Sequence, residues 1–148
     1  MNRSRRTVLA AILIAAASLL RADEPLVVVV HPDSGITRMS PEEVSRIFMG
    51  SQKRLASGLV ALPVEPMAPA ESRILFYRLL VHLPLAQVRS YWAQLYFSGQ
   101  AQPPRQAQNA EEVLEIVSAN KGAVGFVEQS KLDRRVRAVL TLNGPGGI

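Results

Sequence analysis

The chain has 148 residues, 17 basic against 12 acidic side chains, a formal charge of +5 and no cysteine. That length suits one domain, and the missing cysteine excludes disulfides, a thiolate metal site and a cysteine-linked lipid anchor. Arg3, Arg5, Arg6 and Arg21 all precede Asp23, the first acidic residue, which leaves 13 basic and 12 acidic groups beyond residue 22. A balance of +1, with only Arg134, Arg135 and Arg137 clustered, supplies no basic face for nucleic acid.

Residues 1–22 read as an export signal. Three arginines charge its start, and the apolar run TVLAAILIAAASLL over 7–20 has signal-peptide length, short of the roughly 18 residues of a membrane span. The Arg5-Arg6 pair admits a twin-arginine route, but ordinary n-region charge accounts for it, so the expectation is Sec export to the periplasm. Membrane attachment is expected only if the signal stays uncleaved. The domain then covers 23–142, and NGPGGI over 143–148 is a flexible tail.

LVVVV over 26–30 is a continuous β-branched run, as in a strand covered on both faces in a parallel sheet. Turn chemistry in HPDSG ends it. A short helix follows, with Ser40 as its cap, Pro41 at the first position, Glu43 completing a capping box and Met39 stapled to Val44. LVALPVE reads as a second strand, near an edge because of Pro63. A second helix begins at Pro69, with Phe76, Leu79, Leu80 and Leu83 at helical spacing. A third starts at Pro84, with Leu85, Val88, Trp92 and Leu95 on one face and Gly99 past its end. QAQPPRQAQ is an extended linker. Asn109 and Glu112 form a capping box for a fourth helix, whose Val113, Ile116 and Val117 face inward. GAVGFVE and VRAVLTL are the last two strands. Phe76, Trp92 and Phe97 are assigned to the core, and Tyr91 and Tyr96 to an exposed surface. Alternating strands and helices make the class α/β.

The segments SPEEVSRIFMG, FYRLL, YWAQLYFSGQAQPPR and NKGAVGFVEQS resemble the phosphate-type substrate-binding proteins of ABC transporters, over about residues 26–142. The resemblance implies a single lobe of a type 2 periplasmic-binding-protein fold, a small mixed sheet flanked by about four helices. In that family phosphate sits between two lobes, held by helix N-termini, hydroxyls and an arginine. The family's Ser-Gly-Thr-Arg turn falls on Ala70, Glu71, Ser72 and Arg73, of which only Ser72 and Arg73 match in kind.

The segment starting at Pro69 offers a helix N-terminus whose preceding residue, Ala68, is a poor cap, and uncapped amides favour an anion. Arg73 adds a charge-assisted hydrogen bond, whereas Glu71 at the third helical position can occupy the amides itself. Ser34 and Gly35, beyond the first strand, are assigned to the other rim. The expected ligand set is therefore Ala70, Glu71, Ser72, Arg73, Ser34 and Gly35, with phosphate or sulfate as ligand. No P-loop, H-E-x-x-H or G-x-S-x-G occurs, and His31 and His82 lack a metal spacing. No cofactor, metal or catalytic residue is expected, and the chain does not read as an enzyme. The expectation is a periplasmic binding module whose cleft is completed by a second copy or another protein. The alternative is an envelope adaptor that keeps the lobe and has lost the ligand.

Overall fold

In the computed structural model the described residues are 24–144, so the expected export signal and the last four residues of the expected tail lie outside them. Five strands, β1 (Leu26–Val30), β2 (Leu62–Pro66), β3 (Arg105–Ala107), β4 (Ala123–Glu128) and β5 (Arg137–Leu142), form one sheet in the order β3-β2-β4-β1-β5. Among the described residues four helices accompany them: α1 (Pro41–Phe48), α2 (Ala70–Val81), α3 (Leu85–Phe97) and α4 (Ala110–Ala119). A single 3-10 turn, Gln129–Lys131, follows β4.

The sheet is mixed. β2 runs parallel to both β3 and β4, whereas β1 is antiparallel to β4 and β5. The valine run of β1 therefore reports burial on both faces and not a parallel neighbour. Its alternate residues enter two different cores. Leu26, Val28 and Val30 join Phe48, Phe76 and Phe126 under α1–α3. Val27 and Val29 join Val113, Val117 and Val127 under α4. This is the period-two alternation of a strand, made apolar at every position because helices cover both sides.

Aromatic packing anchors the first core: Phe76 stacks on Phe126 with ring centroids 3.7 Å apart, and Phe48 meets Phe76 edge-on at 4.8 Å. On the other face α4 approaches β4 closely. A Cβ at Gly125 would lie 2.6 Å from Val113 Cγ1, so this strand position accepts glycine alone without a shift of α4.

Two caps form as the sequence indicates. Ser40 Oγ accepts from the Glu43 amide at 3.1 Å, and Met39 and Val44 are both buried. Asn109 Oδ1 accepts from the Glu112 amide at 3.0 Å, and the Glu112 carboxylate reaches back to the Gln108 amide.

Three expectations need correction. The stretch 100–108 contains a paired strand, β3, which covers β2 from Val64 to Pro66 and moves β2 off the edge. Pro63 lies just before that pairing begins, which is how an imino acid is accommodated here. Phe97 is 87% exposed. It ends α3 off the Leu85–Val88–Trp92 face, so no neighbour covers it. Tyr91 is half-buried, its hydroxyl donating to the Met49 carbonyl, and Tyr96 alone of the pair is exposed. Among the described residues no helix is long and apolar enough to cross a membrane.

Candidate functional site

β2 delivers the chain to α2 in a fixed way. Beyond Pro66, the Met67 amide donates to Ala107 O and the Ala68 amide to Gln108 O, so the contact with β3 continues to the helix start. Pro69 is the N-cap, with φ −71° and ψ 146°, and not the first helical residue. A proline ring sets φ but leaves ψ free, and the extended ψ places helical geometry one residue later, at Ala70. No side chain caps α2. Its first-turn amides thus keep the partial positive charge that favours an anion.

The acidic group at this turn is not the one the sequence suggests. Glu71 is exposed. Ser72 is buried, and its hydroxyl donates to the carboxylate of Glu128, the last residue of β4. Sheet order explains the meeting: β4 neighbours β2, both strands end on the same side, and Glu128 shares the face of Val124 and Phe126 toward α2. A cavity of about 430 Å³ opens here, bordered by Ala68, Pro69, Asn109, Ala110, Leu114, Glu128, Lys131 and Glu111, whose carboxylate is paired with Arg135. Two helix starts thus face one hollow. That of α4 is occupied by its own capping box, and that of α2 is not.

Arg73 is 4% exposed. Its Nη1 lies against Met67 Sδ, and its Nε has no hydrogen-bond partner. Nearby, Tyr77 Oη donates to Glu65 Oε2 at 2.6 Å. Burial pushes the Glu65 carboxyl above its ordinary range, against the lowering effects of the Tyr77 hydrogen bond, Arg73, Arg89 and the Gln106 side chain. Burial, then the charge and hydrogen bond of Glu65, push the Tyr77 hydroxyl well above its ordinary value, so it stays protonated and donates. Arg73 is therefore committed to the α2–α3 side of the fold and bears on the α2 start as a field more than as a hand.

Ser34 and Gly35 do not join this site. They follow the C-terminal end of β1, and the register pairs Val30 with Val124 near the start of β4 but Leu26 with Glu128 at its end. The first-strand loop and the α2 start therefore sit at opposite ends of the sheet, about 14 Å apart along the strands at roughly 3.4 Å per residue. Ser34 is buried and its Oγ accepts from the Ile36 amide; a side chain on Gly35, at φ +78°, would meet Ser57. Both residues serve the turn, as does His31, whose Nδ1 accepts from the Asp33 amide at 2.9 Å. His82 closes α2 in the left-handed region, its amide bonded to Arg78 O. Among the described residues no three His, Asp or Glu side chains come together to hold a metal.

Sequence reasoning missed Glu128, Lys131, Glu65 and Tyr77. A signal existed for Glu65 alone, as one acid inside an apolar strand segment, LPVEP. Glu128 ends a strand that any outward-facing residue could end.

No family model matches the sequence, and no curated protein matches it at a significant level. Solved structures do resemble it. An ABC-type phosphate transport receptor from Vibrio cholerae superposes with a TM-score of 0.62 at 18% identity, over 79% of this chain and 45% of the receptor. A putative phosphate ABC transporter substrate-binding protein with bound phosphate, from Clostridium perfringens, gives 0.63 at 14% identity, over 79% and 44%. PstS from Borrelia burgdorferi gives 0.54 at 14%, over 79% and 47%. The chain thus has the fold of a phosphate-type periplasmic binding protein and spans less than half the length of each of these proteins.

Proposed function

We propose that the chain is an exported, non-catalytic binding module that holds phosphate, or an oxyanion of the same shape, at the start of α2. The observation that carries this reading is the uncapped start of α2, whose N-cap Pro69 borders a cavity that Lys131 also lines. Amides of Ala70 and Glu71, the Ser72 hydroxyl and the Lys131 ammonium supply donors to a tetrahedral anion, and Arg73 adds positive field from behind. The likeness of fold to proteins that carry phosphate in their names supports the same class of ligand.

Glu128 is the resident competitor. Its carboxylate takes the Ser72 hydroxyl, and an incoming anion must displace it. One lobe also encloses only part of a ligand, where small-molecule sites commonly bury about 70–90% of it. The isolated chain therefore binds weakly, and a second copy or an envelope partner completes the cleft. Titration calorimetry of the chain from residue 23 onward tests this. Saturable heat with phosphate at a Kd of roughly 1 mM or tighter, weakened by Ser72→Ala, supports the reading. Silence at several times that concentration rejects it.

A further inference from the structure

Arg73 and Trp92 share an unusual property: each is more than nine-tenths buried, and each keeps an N–H without a partner among the described residues, Nε in Arg73 and Nε1 in Trp92. Both residues line the same cavity of about 300 Å³ between α2, α3 and the β2–β3 edge, with the two N–H groups themselves buried in its wall. Both groups are donors only, so nothing but an acceptor can satisfy them. Buried polar groups are paired in the great majority of proteins, and each exception calls for a cause. Two exceptions on one cavity call for a common one.

The charge and walls of the cavity narrow what that acceptor is. Arg89, exposed at the lip, adds a second guanidinium. The one acid present, Glu65, already holds the Tyr77 hydroxyl. Two cations against one carboxylate leave a positive balance that favours an anion. Much of the wall, however, is apolar, with Leu85, Val88, Pro103 and the indole ring of Trp92. Inorganic phosphate would leave that surface wet. A ligand with an anionic head and an apolar body satisfies both parts, and the volume sits at the lower bound of small-molecule sites.

We infer that this cavity is a binding site for a small organic carboxylate with a ring-sized apolar body, its head beside the guanidiniums of Arg73 and Arg89 and its body against Trp92 and α3. The site is separate from the start of α2 and does not rest on phosphate being held there.

Trp92 is the chain's single tryptophan, so its fluorescence reports on this cavity without a label. The probe is phenylacetate, added to the chain from residue 23 onward. The expected result is a saturable change in Trp92 emission, at least about tenfold weaker with the neutral phenylacetamide, because the amide head lacks the charge that two guanidiniums recognise. Arg89→Gln, at an exposed position that leaves the core intact, weakens phenylacetate by about five- to tenfold, less than a buried partner would because solvent screens it. Ala93→Phe, at the exposed lip, blocks the mouth and abolishes the response. Ser72→Ala leaves it unchanged, which separates this site from the phosphate reading. An unsaturable response, equal binding of acid and amide, or an Arg89→Gln variant that binds as tightly as the parent overturns the inference. Circular dichroism of each variant confirms that it is folded.

Discussion

Tyr77→Phe is the sharpest probe of the polar cluster inside the fold. It removes one hydroxyl, and with it the 2.6 Å hydrogen bond to Glu65, while keeping the ring that packs edge-on against Phe76. The cost depends on the charge state of Glu65. A hydrogen bond to a charged partner contributes about 1.5–3 kcal/mol and a neutral one about 0.5–1.5 kcal/mol. Burial raises the Glu65 carboxyl above its ordinary value. Its stabilising contribution is therefore fully present below the unfolded glutamate pKa and is lost as pH rises through the raised folded value. Tyr77 is one of the groups holding that value down, so the variant loses stability more steeply with pH than the parent. The expected loss is about 1 kcal/mol near pH 4 and about 2 kcal/mol near pH 8. For a domain of this size that is a fall in Tm of about 4 °C and about 8 °C. Thermal melts followed by circular dichroism at the two pH values decide it. Equal losses at both, or a loss below about 0.5 kcal/mol at the higher pH, would show that the pair does not carry the charge assigned to it.

Four further substitutions have expected outcomes. Glu128→Ala frees the Ser72 hydroxyl and removes a like charge from the α2 start, tightening phosphate by roughly fivefold, about 1 kcal/mol. Glu71→Ala, at an exposed and screened position, changes phosphate affinity by less than about twofold, so calorimetry of the two variants ranks the glutamates. Gly125→Ala drives a methyl to 2.6 Å from Val113 Cγ1, and overpacking of this kind costs about 1–3 kcal/mol in denaturant unfolding. Adding Val113→Ala returns part of that loss, whereas additive effects would mean the two positions do not touch. Ser40→Ala removes the cap of α1 and lowers stability by about 1 kcal/mol, read from the urea midpoint at unchanged slope.

Local chemistry wrote several elements directly into the chain. Ser40-Pro41 starts α1 and Asn109 starts α4 because a short oxygen-bearing side chain meets an amide only three residues on, within one turn. The valine run forms a strand because β-branched residues fit the extended backbone, and its lack of polar positions announces helices on both faces. The uncapped start of α2 was equally legible, since neither Ala68, the cap expected from the sequence, nor Pro69, the cap observed, has a side-chain oxygen to offer.

Strand direction, the short β3 and the fate of Glu128 were decided by tertiary structure. Strand pairing joins residues such as Leu26 and Glu128 that lie far apart along the chain, so no local pattern specifies which partner is chosen or which way it runs. The same holds for charge. Glu71 stands next to Ser72 in sequence yet faces solvent, while Glu128 reaches it across the sheet. Arg73 looks like a surface residue from its neighbours alone, and becomes a buried donor only when α3 lays Trp92 and Arg89 around the same cavity. Backbone propensity acts over a few residues and is readable along the chain, whereas desolvation and hydrogen-bond pairing depend on which surfaces meet, and only the packed fold fixes that.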